Sequence, residues 1–115
     1  MGKIDLSYLE NMSGGDNAMI VEMIELFLQE TPLHLDNLKE ADQNSQWNKV
    51  ASEAHKIKPI MLYVGLSELN LVCKKIEDNA KGDQDPELSN ELIKQLEAGY
   101  KDVSGDLETK IEELR

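Results

Sequence analysis

At 115 residues the chain has the length of one domain with a single modest core, and residues 1–115 are read as one unit. Its composition, 40% hydrophobic but 4% aromatic, favours helices over sheets, while a net charge of −11 argues against a nucleic-acid surface, which needs clustered Lys and Arg. One cysteine, Cys73, leaves no partner for an intramolecular disulfide, and no apolar run approaches the ~18 residues that would indicate membrane insertion.

The start, Met1-Gly2-Lys3-Ile4-Asp5, has no signal-peptide core, and position 6 is not the Ser or Thr of a myristoylation site, so a cytoplasmic protein is expected. Asp5 caps a short first helix through about Met12, with Ile4, Leu6 and Leu9 as its apolar residues. Ser13-Gly14-Gly15-Asp16 then breaks the chain, and Asp16 caps a long helix to about Ala41. Ile20, Ile24, Phe27, Leu35 and Leu38 lie near one face of it, Met19, Met23 and Leu26 widen that face, and Pro32 should kink or briefly break it. A polar connector, Asp42–Ser45, leads to a third helix from about Gln46 to Tyr63, which Gly65 ends as a C-cap.

The next helix starts near Ser67 and runs to about Ala80 with the stripe Leu69, Val72, Cys73, Ile76, Ala80, so Cys73 reads as core. After the loop Lys81–Gln84, Asp85 caps a last helix with Pro86 at its first position. Leu92, Leu96, Gly99/Tyr100, Val103, Leu107, Ile111 and Leu114 form its seam. Gly99 and Gly105 both weaken its helix propensity, leaving a close helix contact at Gly99 and fraying near Gly105 equally open. The whole is all-α: an antiparallel up-down four-helix bundle with a short extra N-terminal helix.

Trp47, Val50, Ala54, Ile57 and Met61 share one arc of the third helix, and His55 lies roughly 125° from its centre on a wheel of about 100° per residue. An exposed imidazole on a helix is a nucleophile that is largely neutral near pH 7, and Lys58 shares its face. Such a pair suits a phosphoryl group, with nitrogen attacking and ammonium offsetting charge. Charge is also uneven: Trp47–Lys81 holds six lysines (Lys49, Lys56, Lys58, Lys74, Lys75, Lys81) against four acids, a balance of +2, leaving −13 elsewhere. A basic patch on an acidic body attracts an acidic partner or a phosphoryl group.

Other chemistry is not indicated. His34 has no basic or carboxylate constellation at suitable spacing and reads as a surface or boundary residue. The positions three before the histidines are Thr31 and Ser52, so the Glu-x-x-His pairs of bundle metal sites are absent. No nucleophile elbow, Gly-rich phosphate loop or kinase signature occurs, so neither a cofactor nor autonomous ATP chemistry is expected.

Ala54-His55-Lys56-Ile57-Lys58 followed by Val64-Gly65-Leu66, with Gly65 ten and Glu77 twenty-two residues after the histidine, resembles the histidine-containing phosphotransfer (HPt) domains of multistep phosphorelays. The likeness extends from Asp5-Leu6-Ser7-Tyr8-Leu9 and Ser13-Gly14-Gly15-Asp16, through Phe27–Pro32, to Leu69–Glu77. It implies His55 as phosphoacceptor, Lys58 beside the phosphate, and Glu77 as the group that orients the imidazole. Pairing the helices antiparallel about Val64-Gly65 also brings Glu77 near the imidazole, the alternative being a solvated helix carboxylate. Lys74 is a weaker candidate for the same field.

Lys56, Pro59 and Gly65 are the expected partner-facing residues. Pro59 departs from the small residue usual after the lysine, and it removes an N–H whose helical partner is the carbonyl of His55 itself. Ile60, Met61, Leu62 and Tyr63 are bulkier than usual there, and the stretch reads equally as a docking surface or as core, with core favoured for Met61. The resemblance implies a monomeric, non-enzymatic phosphocarrier between receiver domains, which supply the metal and acid chemistry. The alternatives are a helical adaptor that binds a receiver without phosphotransfer, and a domain excised from a hybrid sensor kinase.

Overall fold

The computed structural model describes residues 4–115, so the readings on Met1–Lys3 lie outside the described residues. Five helices follow in order: α1 Ser7–Ser13, α2 Asn17–Gln43, α3 Trp47–Tyr63, α4 Ser67–Lys81 and α5 Pro86–Leu114. α2 packs on α3 and α5, and α4 packs on α3 and α5, which closes a ring of four. α1 lies against α2 and α3 as the extra element. This is the expected all-α bundle. At 1.5 Å per residue α2 and α5, with 27 and 29 residues, set its 44 Å length, whereas α3 and α4, with 17 and 15, span roughly half of it.

Local chemistry sets the helix ends. Asp16 Oδ1 accepts from the Ala18 and Met19 amides, and Asp85 Oδ1 from Glu87 and Leu88, each cap contributing about 1 kcal/mol. Asp5 acts one residue further out than a cap, its carboxylate accepting from Ser7 N at 2.9 Å while Leu6 holds the cap position. Gly65, at φ +77°, reverses the chain after α3, its amide donating to Leu62 O and that of Leu66 to Met61 O. Those two bonds are a Schellman closure, which an L side chain at this φ would strain. A Cβ on Gly65 would also lie 2.8 Å from the Asp5 amide nitrogen.

Several expectations change. Pro32 does not break α2, which is continuous to Gln43. The missing proline N–H leaves the Leu28 carbonyl without its helical donor, and the Tyr100 hydroxyl on α5 donates to that oxygen at 3.0 Å instead. Met19 and Leu26, expected to widen the buried face of α2, are about half exposed, because α3 and α5 cover a narrower arc. Gly105 does not fray α5, and Gly99 makes the close contact, facing the Leu69 side chain of α4. Buried Asn79 brackets the α4–α5 loop, donating to Asp85 O and accepting from Asp85 N, while Ser89 Oγ donates to Asp42 Oδ1 at 2.6 Å.

Candidate functional site

α3 and α4 run back to back from the Gly65 turn. His55 is ten residues before that glycine and Glu77 twelve after it, distances of about 15 and 18 Å along the two helices, so the two side chains meet at similar height. The Ala54, Ile57 and Met61 side chains are sealed in the core, which turns His55 outward with 67% of its side chain exposed. Glu77 is not a solvated carboxylate: on the stripe edge beside Cys73 and Ile76, its side chain keeps 7% exposure.

A buried carboxylate needs partners, and Glu77 has three. His55 Nδ1 lies 3.1 Å from Oε2, Lys81 Nζ 2.9 Å from Oε2 and Lys58 Nζ 3.0 Å from Oε1. The lysines hold its carboxyl well below the usual range, at about 2, with the Lys81 hydrogen bond the largest cause, burial opposing it, and Lys58 adding to the depression. An ionised carboxylate only accepts, so the proton between it and the ring sits on Nδ1, and Nε2 carries the lone pair. The arrangement is a fixed, solvent-facing nitrogen nucleophile with two ammonium groups within one side chain of it.

Lys58 has its own brace, since Asn70 Nδ2 on α4 donates to its carbonyl at 2.7 Å. Lys74 is elsewhere: it pairs with Asp78 Oδ2 at 3.0 Å on the exposed side of α4 and is not among the Glu77 partners. Lys56 is exposed and bonds Glu53 at 3.3 Å. Pro59 is exposed one turn from His55, and Leu62 continues the same face. Gly65 is only partly exposed, and its requirement for glycine follows from the turn and from Asp5. Met61 is core, whereas Leu62 and Tyr63 are exposed, Tyr63 stacking on Tyr8 with ring centroids 5.5 Å apart.

Two members of these clusters escape the sequence reading. Lys81 reads as a loop residue, yet it is the last residue of α4 and stands at i+4 from Glu77. His34, read as having no carboxylate partner, places Nδ1 3.1 Å from Glu53 Oε1 on α3; the partner comes from another helix, which spacing along α2 does not reveal. Cys73 is fully buried, and burial pushes its thiol up to about 12, so it is inert core.

The Hpt domain family model matches residues 22–114, which includes α3, α4, α5 and most of α2. The chain belongs to the Hpt domain family. Hpt domains are phosphocarriers that perform histidine phosphotransfer in phosphorelays and interact there with receiver domains. No match is found among curated proteins or solved structures.

Proposed function

We propose that this Hpt domain, a single unit over residues 1–115, accepts a phosphoryl group on His55 Nε2 from a receiver-domain aspartate and passes it to a second receiver. The observation that carries the reading is the His55 imidazole locked through Nδ1 to Glu77, with Lys58 and Lys81 on the same carboxylate. In the forward step the Nε2 lone pair forms the N–P bond and the acyl-phosphate P–O bond breaks, its electron pair leaving on the receiver's aspartate. The Nδ1 proton stays on the ring against Glu77, which offsets the positive charge that forms there. Lys58 and Lys81, which bond the carboxylate that holds the ring, turn from it to the incoming phosphoryl oxygens. Lys74, paired with Asp78, contributes only to the wider field.

Docking uses the exposed face around His55, with Lys56, Pro59 and Leu62, while Gly65 serves it by fixing the α3–α4 turn. The domain works as a cytoplasmic monomer, and the receiver brings the metal ion and acid groups. Among the described residues no helix is long and apolar enough to cross a membrane.

The test is incubation with a panel of phosphorylated receivers and detection of acid-labile, base-stable label. Wild type is expected to take the label and His55→Gln to lose at least about a hundredfold of it, with unfolding free energy changed by less than about 0.5 kcal/mol because the side chain fills no core space. Receiver binding without label on wild type would establish the adaptor reading instead.

A further inference from the structure

The second histidine of the chain repeats the chemistry of the first on a different pair of helices. His34 Nδ1 lies 3.1 Å from Glu53 Oε1, and the other oxygen of that carboxylate takes Lys56 Nζ at 3.3 Å. Glu53 is largely buried, with 14% of its side chain exposed, and His34 keeps 26%. The carboxylate is held from two sides, and a carboxylate oxygen accepts rather than donates, so the contact places the ring proton on Nδ1 and the lone pair on Nε2. Lys56 stands one turn along α3 from Glu53 and adds its charge to the same carboxylate. With it, the trio has an oriented imidazole, a carboxylate to offset charge on the ring and an ammonium group beside them, the same three parts as His55, Glu77 and Lys58.

We propose that His34 is a second phosphoryl-accepting imidazole, loaded through Nε2 by a small phosphodonor of the phosphoramidate or acyl-phosphate class. Its lower exposure selects a small donor over a docked receiver domain. With zwitterionic phosphoramidate the Nε2 lone pair forms the N–P bond, the donor P–N bond breaks, and its electron pair leaves with the nitrogen as ammonia, which already carries its three protons. The Nδ1 proton remains on the ring, held by Glu53. Loading of His34 does not depend on any receiver, so it stands or falls separately from the role of His55.

The experiment uses the full chain carrying His55→Gln, potassium phosphoramidate as the probe, and peptide mapping of acid-labile phosphate. One phosphoryl group is expected on His34, entering at least about tenfold faster in the folded chain than in the same chain unfolded in urea, since only the folded chain supplies the oriented carboxylate. Glu53→Gln in that background is expected to slow loading by a similar factor while circular dichroism reports an intact bundle. No phosphate on His34, or equal rates in folded and unfolded chains, would overturn the proposal. The urea comparison keeps the test decisive even where Glu53→Gln disturbs folding. Label on wild-type His55 from receivers with none on His34 from phosphoramidate would defeat this inference alone.

Discussion

Two prolines interrupt two helices of this bundle, and their surroundings handle the damage in opposite ways. Pro32 in α2 deprives the Leu28 carbonyl of its helical donor next to the core, and α5 supplies the Tyr100 hydroxyl as a replacement. Pro59 in α3 does the same to the carbonyl of His55, on the face turned to solvent, and no side chain among the described residues donates there. A buried carbonyl without a partner costs roughly 1–3 kcal/mol, whereas an exposed one is served by water, so only the first gap calls for repair. The Pro32 region is thus organised for stability and the Pro59 region for access, and each can be tested by a change that moves one property and spares the other.

The largest effect is expected at the access end. Glu77→Ala removes the acceptor that fixes the His55 tautomer and leaves Lys58 and Lys81 without their shared anion, so transfer should slow by about ten- to a hundredfold. Lys58→Ala, which removes one charge and leaves Lys81, should slow it by about tenfold, with a modestly smaller deficit at high salt because salt reaches this part-exposed ammonium. Single-turnover transfer from one phosphorylated receiver measures both. Unchanged rates would leave His55 working alone.

At the stability end, Tyr100→Phe should lower unfolding free energy by about 1–2 kcal/mol through loss of the bond to Leu28 O, while the ring still packs on Phe27. Transfer rates should not move. Chemical denaturation with equal slopes for both proteins gives the difference. A slower transfer in this variant would show that the two proline regions communicate, and the contrast between them would fail.

Much of this arrangement is legible from sequence because it is local. Asp16 and Asp85 announce their helices by a side chain that reaches two or three residues on, and the exposure of His55 follows from counting around one helix. The height of Glu77 is also readable, since both arms are measured from the Gly65 turn. What is not readable depends on how helices rotate against each other. His34 meets Glu53 across the α2–α3 seam, and Tyr100 meets Leu28 across the α2–α5 seam, 72 positions apart in sequence. The burial of Glu77 belongs to the same class, because it depends on how α3 packs against that edge of α4. Lys81 was within reach: carrying the α4 pattern one residue further puts it at i+4 from Glu77.

Acid should distinguish the regions as well. The Glu77 carboxyl titrates at about 2 in the folded chain against an ordinary 4.5, so ionised Glu77 favours folding. That contribution is complete above the unfolded value and is lost as pH falls from about 4.5 toward 2, where the folded chain takes up the proton at last. Unfolding free energy should therefore decline across this window more steeply in wild type than in Glu77→Gln, which carries no such group. Parallel curves from denaturation at several pH values would mean that the lysine clamp adds nothing to the fold.

Pro59→Gly carries the smallest expected effect on stability and the sharpest question. Glycine returns an N–H to the His55 carbonyl, but it adds unfolded-state entropy and has poor helix propensity, so the two changes should offset to within about 1 kcal/mol. The exposed ring lies one turn beyond the imidazole, on the face with Leu62, where its removal opens room for an approaching receiver. The rank order of transfer rates across several receivers should therefore change while thermal unfolding barely moves. A stability loss of several kcal/mol with the same receiver order would make Pro59 a backbone-fixing residue like any in the core, and the division of labour between the two prolines would no longer hold.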